Sequence, residues 1–132
     1  MNKIKYSWED FDTDIAKLAK QMKPFLPFMK NIYGIPRGGL VVAVALSHRL
    51  GLPIVLEDDV RKITEKTLVV DDIVDTGETM NDFIARHSFY KTAVLVWNGN
   101  GIEPSFWGRK NTAKDWVIFP YETRSSSKYD NK

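Results

Sequence analysis

The feature that most constrains this chain is a repeated order of segments between residues 31 and 97. A short apolar stretch runs into a glycine-bearing loop, and a segment with helical spacing follows. Residues 31–35 are apolar and stopped by Pro36. Gly38 and Gly39 then open a run from Leu40 to Leu50 that Gly51 closes. Residues 53–56 give a second short strand. The charged residues 57–66 separate it from Thr67-Leu68-Val69-Val70, a third strand whose unbroken apolar character suits a sheet covered on both faces. A second loop leads into residues 77–87, where Met80, Phe83, Ile84 and His87 recur at helical spacing, and residues 92–97 form another buried strand. Strands that alternate with helices predict an α/β fold, a mostly parallel twisted sheet flanked by helices. Ligands of such sheets bind beyond the carboxyl ends of the strands, the edge at which both glycine loops fall.

The flanks complete one domain, expected over residues 1–124. Ser7 is a helix cap with Asp10 three residues on, and Trp8, Phe11, Ile15, Leu18 and Met22 mark one face before Pro24 and Pro27 end the helix. Residues 98–114, rich in Gly, Asn and Lys, read as a loop, residues 115–121 as a last strand, and 125–132 as a fraying polar tail. With 19 basic and 17 acidic residues the chain lacks the basic excess of a nucleic-acid binder, so no nucleic-acid partner is expected. No apolar run is long enough for a membrane span, and the first residues do not resemble a secretory leader, which points to the cytoplasm. The chain has no cysteine, so its chemistry rests on carboxylates, lysines and arginines.

The densest group of such residues is Leu68-Val69-Val70-Asp71-Asp72-Ile73-Val74-Asp75-Thr76-Gly77-Glu78-Thr79. A helix start offers unpaired amides and a positive dipole end. Residues 75–79 can therefore hold a phosphate through main-chain donors and the Thr76 and Thr79 hydroxyls, with Gly77 allowing close approach. Asp71 and Asp72 can accept from sugar hydroxyls or serve as oxygen ligands to Mg2+. The Asp71-Asp72-Ile73-Val74-Asp75 spacing also matches the aspartate-rich pattern of prenyl-chain synthases. Those are long all-helical proteins, whereas here the carboxylates follow a strand in a short α/β chain.

The same twelve residues resemble the signature of the type I phosphoribosyltransferases: an apolar strand, two acidic residues, and a loop ending in Asp-Thr-Gly and a Thr. The resemblance implies that Asp71 and Asp72 bind the ribose hydroxyls and Mg2+ of phosphoribosyl pyrophosphate. It gives Asp75, Thr76, Gly77, Glu78 and Thr79 to the 5-phosphate, and makes Asp75 the catalytic group that takes and returns a proton at the base. Gly34-Ile35-Pro36-Arg37-Gly38-Gly39-Leu40 stands where the family keeps its pyrophosphate loop and is similar to the purine, xanthine-guanine branch. There Arg37, Gly38 and Gly39 would hold pyrophosphate oxygens, with a non-proline cis peptide expected at Arg37-Gly38. The resemblance continues through Asp115-Trp116-Val117-Ile118-Phe119-Pro120-Tyr121-Glu122, which implies that Trp116 stacks on the base and Val117 reads its edge.

Two departures from the family accompany these matches. Purine-using relatives carry a lysine after the fourth core strand to hold the 6-oxo group, whereas Val96-Trp97-Asn98-Gly99-Asn100-Gly101 has none. Asn98 would offer an amide donor instead, or Arg109, Lys110 or Lys114 would fold back over the site. The lid over the site is short, at residues 57–66, where Arg61, Lys62 and Lys66 read as a solvated face. His48 and His87 read as structural or surface residues. The expected activity is transfer of a phosphoribosyl group to a purine-like base with release of pyrophosphate. The rival is a regulatory protein that binds a nucleobase or nucleotide on the same fold without transfer. Relatives of this kind usually pair, so a homo-oligomer, dimer or tetramer, is expected, with Trp107 or Tyr121 at its interface.

Overall fold

Ser7 starts the first helix through a reciprocal pair of bonds. Its hydroxyl accepts from the Asp10 amide at 3.0 Å, and the Asp10 carboxylate accepts from the Ser7 amide at 2.9 Å. Two donors left over at a helix start are thereby satisfied. In the computed structural model, which describes residues 2–113 and 115–123, this helix is α1 (Trp8–Met22) and follows a short strand, β1 (Lys3–Lys5). Phe11, Ile15, Leu18 and Met22 form its buried face as their spacing predicts. Trp8 instead stands 52% exposed at the first turn, edge-on to Phe11. Pro24 does not end the helical path at once, because it fits the first positions of a 3-10 turn (Lys23–Phe28) that carries the chain to the sheet.

The main sheet contains β2 (Asn31–Gly34), β3 (Ile54–Val55), β4 (Thr67–Val74), β5 (Lys91–Trp97) and β6 (Phe106–Lys110). Its order is β3-β2-β4-β5-β6, and every pairing is parallel, as the alternating segments predict. Between β2 and β3 lies α2 (Gly38–Leu50), and between β4 and β5 lies α3 (Glu78–Ile84). Helix α3 is shorter than expected, so His87 lies beyond it. One core layer joins α1 and α2 to the sheet through Ile15, Leu18, Val42, Leu46, Leu68 and Val70. The other packs α3 on the opposite face through Val69, Met80, Phe83 and Val94. Leu68 and Val70 serve one layer and Val69 the other, which is why this part of β4 is apolar.

Residues 98–114, expected as a loop, contain β6. Its connection from β5 is only residues 98–105, shorter than the roughly dozen residues that a parallel crossover usually takes, and it holds no helix. Without a helical pattern in front of it, the strand carries no alternating signal. The expected strand at 115–121 narrows to β7 (Trp116–Ile118). It pairs with β1 in a separate two-stranded sheet, with Trp116 opposite Lys3 and Val117 opposite Ile4. Among the described residues no helix is long and apolar enough to cross a membrane. The tail at 125–132 lies outside the described residues.

A buried carboxylate ties α1 to β6. Asp14 accepts from the Tyr6 hydroxyl at 2.6 Å and from Arg109 Nε at 2.7 Å, and Gly108 leaves room for it, since a Cβ there would lie 2.8 Å from Asp14. Burial, reinforced by the bond to Asp14, pushes the Tyr6 phenol well above its ordinary value. Arg109 is thus committed to α1, held by Asp14 and by Asp10, and does not fold over the ligand edge. Replacing Asp14 by Ala strands both donors and is expected to cost about 2–3 kcal/mol in urea unfolding.

The cap adds a pH dependence. The Ser7 amide holds the Asp10 carboxyl below its ordinary value of 3.8, opposed by burial and helped by the Ser7 side chain and Arg109. A depressed folded-state value stabilises the fold fully above 3.8, and the contribution is lost as pH falls through the folded value. Thermal unfolding of Asp10→Asn is therefore expected to trail the native protein at neutral pH and to converge with it in acid.

Candidate active site at the carboxyl ends of the strands

Strand β4 continues past Val70 through Val74. Asp71 and Asp72 therefore sit within the strand rather than at its exit, and are 1% and 5% exposed. The strand persists because β5 pairs along it as far as Val74 opposite Trp97. Asp72 shares the side of the strand used by Leu68 and Val70, the side covered by α2. Its Oδ2 accepts from the Tyr121 hydroxyl at 2.9 Å. Burial, then the negative charge and bond of Asp72, push the Tyr121 phenol far above its ordinary value, so it stays a donor. Oδ1 of Asp72 is buried with no hydrogen-bond partner. Asp71 Oδ1 accepts from the Asp72 amide at 2.8 Å.

The first loop presses on this pair. The Ile35 amide donates to Val70 O and the Gly39 amide to Ile35 O, both at 2.9 Å. A Cβ on Gly38 would lie 1.9 Å from Asp72 Oδ2, and one on Gly39 2.6 Å from Val70 O. Only glycine lets the start of α2 come this close. Arg37 is the exposed cap residue of α2. The non-proline cis peptide is Pro36-Arg37, one bond before the expected Arg37-Gly38, because Gly38 already belongs to the helix.

The second loop leaves β4 at Asp75. Asp75, Thr76 and Glu78 are exposed, and Thr79 is half-buried. Gly77 caps α3 at φ +87°, a backbone favouring glycine, and the Glu78 amide donates to Thr76 Oγ1 at 3.2 Å. Asp75 Oδ1 accepts from Asn98 Nδ2 at 2.5 Å. The Asn98 amide donates to Val74 O, while its own side-chain oxygen is buried without a partner. One of the two amide hydrogens of Asn98 is thus given to Asp75. The short β5–β6 connection passes directly over the loop: a Cβ on Gly77 would lie 3.5 Å from Gly101 Cα.

The remaining expected residues are spread more widely. Trp116 is 55% exposed and Val117 half-buried on the small sheet, and the chain that follows them delivers Tyr121 to Asp72. Tyr121 thus points inward to the carboxylate, not outward to an interface, and Trp107 is half-buried against Trp97. Lys110 lies over the Trp97 ring at 4.8 Å, and Lys114 is outside the described residues. In the lid, Arg61 pairs with Asp59 and Lys62 with Glu57, the solvated face expected of them. Asp58 reaches Arg86 and His87, which also stacks on Phe83. A cavity of about 380 Å3 lies against β3 and this lid, lined by Lys30, Asn31, Leu56, Glu57 and Arg61, and shares no residue with either glycine loop.

Taken together, the edge offers two adjacent carboxylates, a loop of hydroxyls and amides, and a basic cap residue beside glycines. Such a set suits a ligand that carries both hydroxyl and anionic groups. Among the described residues no three His, Asp or Glu side chains are grouped to hold a metal by themselves, so a cation here would need oxygens from the ligand.

The chain is similar to known proteins over most of its length. It is 29% identical over 137 residues to the xanthine-guanine phosphoribosyltransferase of Idiomarina loihiensis, covering 88% of this chain and 84% of that one. The purine phosphoribosyltransferase from Pyrococcus horikoshii superposes with a TM-score of 0.76 at 26% identity, covering 93% and 96% of the two chains. The Helicobacter pylori xanthine-guanine-hypoxanthine phosphoribosyltransferase does so at 0.71 and 20%, covering 89% and 90%, a likeness of fold. No family model matches the chain.

The two loop glycines should respond differently to Ala. Gly39→Ala sets a methyl against the backbone of β4 and is expected to cost about 1–3 kcal/mol in denaturant unfolding. Gly38→Ala meets only the Asp72 side chain, so its crystal structure should show a displaced carboxylate and a broken Tyr121 bond.

Proposed function

This chain belongs to the type I phosphoribosyltransferases, in their purine branch, and we propose that it joins the phosphoribosyl group of phosphoribosyl pyrophosphate to a purine base. The observation that carries the reading is the pair Asp71-Asp72, buried on β4 with Gly38 against it and the Asp75–Thr79 loop immediately beyond. In this assignment the loop hydroxyls and amides, from Asp75 through Thr79, hold the 5-phosphate, and Asp71 and Asp72 take the ribose hydroxyls. The α2 start, with Arg37, Gly38 and Gly39, faces the pyrophosphate. Trp116 supplies a flat face for the base and Val117 main-chain groups for its edge.

The reaction breaks the bond from C1 of the ribose to the pyrophosphate oxygen and forms a bond from C1 to a ring nitrogen of the base, with inversion at C1. As the first bond lengthens, positive charge grows on the ribose and negative charge on the leaving group. Preorganised donors at the α2 start stabilise the latter. The proton lost by the base passes to Asp75, whose carboxylate Asn98 orients. Asp71 and Asp72 suit Mg2+, since Asp72 keeps a buried oxygen without a partner and Mg2+ usually takes one or two carboxylates with the rest of its shell from phosphates and water. When bound, the ion would neutralise pyrophosphate charge.

The test is pyrophosphate release from phosphoribosyl pyrophosphate with Mg2+ across guanine, xanthine, hypoxanthine, adenine, uracil and orotate. Release is expected with a purine, and chelation of the metal is expected to stop it. Asp75→Asn should lower kcat by about 10²–10⁴-fold while substrate affinity stays near native. Full turnover in that variant would remove Asp75 from its role.

A further inference from the structure

Two groups flank the Asp72 carboxylate, and one of them lies outside both loops. Burial of a carboxylate requires partners. On Oδ2 the partner is the Tyr121 hydroxyl at 2.9 Å, with Gly38 leaving room beside it, whereas Oδ1 has none. The two oxygens are therefore not equivalent: one is spent inside the protein, and the other remains for a donor or cation from outside. A carboxylate without the Tyr121 bond could rotate about its terminal torsion, which is broad.

Tyr121 is itself fixed. Its ring stacks on Phe119 with centroids 5.5 Å apart and lies 6.0 Å from Trp8. The Phe119 amide donates to Glu122 Oε1 at 2.8 Å, and the Glu122 amide to Phe119 O at 3.1 Å, closing the turn that carries Tyr121. The hydroxyl is thus aimed by a packed ring rather than by a flexible stem.

We propose that Tyr121 is a positioning residue for ribose recognition: its hydroxyl locks the Asp72 carboxylate by Oδ2 so that Oδ1 is presented to a ribose hydroxyl or its bound cation. The inference rests on the reading of Asp72 as a ribose ligand. Tyr121 itself touches no substrate in this scheme and acts only through Asp72. It assigns a role in the site to the segment after β7, apart from any contact that segment makes with the base.

Binding of two probes by calorimetry separates the possibilities. Ribose 5-phosphate with Mg2+ needs both Asp72 and the phosphate loop, whereas inorganic phosphate needs the loop alone. Tyr121→Phe, which keeps the ring and loses only the hydroxyl, is expected to bind ribose 5-phosphate about tenfold more weakly and inorganic phosphate unchanged. In Asp72→Asn the further change Tyr121→Phe should have little added effect, because the two residues act as one unit. Native-like ribose 5-phosphate binding by Tyr121→Phe would overturn the inference, as would equal weakening of both probes, which marks a merely structural role. Additive losses in the double variant would overturn it too. Failure of the unaltered protein to bind ribose 5-phosphate at all would overturn the functional reading beneath it.

Discussion

A carboxylate inside a parallel strand is the constraint around which this site is built. Left unpartnered, a buried charge costs several kcal/mol, enough to remove much of a small domain's stability. Asp72 occupies such a place because two other parts of the chain meet it: the start of α2 at Gly38 and the turn that brings Tyr121. The strand continues to Val74 because β5 pairs along it, and these groups accommodate the carboxylate that this places inside the sheet. Each loop then leaves the sheet from a rigid base rather than from a fraying end.

The two halves of this sheet edge carry different chemistry. On the helix side, α2 begins so near β4 that only glycines fit beside the acidic pair. On the far side, the β5–β6 return is too short for a helix and is drawn across the sheet edge, which brings Asn98 to Asp75 and Gly101 to Gly77. A longer crossover packed on the sheet face would leave Asp75 without the Asn98 bond. The missing helix is thus part of how the edge is closed.

Much of this was legible in the residues, and the failures have identifiable causes. Periodicity located α1, α2 and strands β2 to β5 because each has enough apolar positions to show its period. Strand β6 and strand β1 were not legible: one follows a return with no helix, and the other is three exposed residues held by a distant partner. The loop residues 75–79 and 37–39 were found by residue type and order, which local sequence carries. The inward turn of Tyr121 was not, since nothing between Asp72 and Tyr121 announces a bond across 49 residues. The same holds for Arg109, whose pairing with Asp14 depends on α1 lying against β6.

The contact between Gly38 and Asp72 reaches beyond the site to the history of substitution. A side chain cannot be added at position 38 while the carboxylate stands there, and position 72 cannot lengthen while the helix start is so close. A side chain at position 38 therefore requires that the carboxylate first be lost or displaced. Across related chains the two positions should therefore vary as a unit or stay fixed together, and a chain that had lost one would be released from keeping the other.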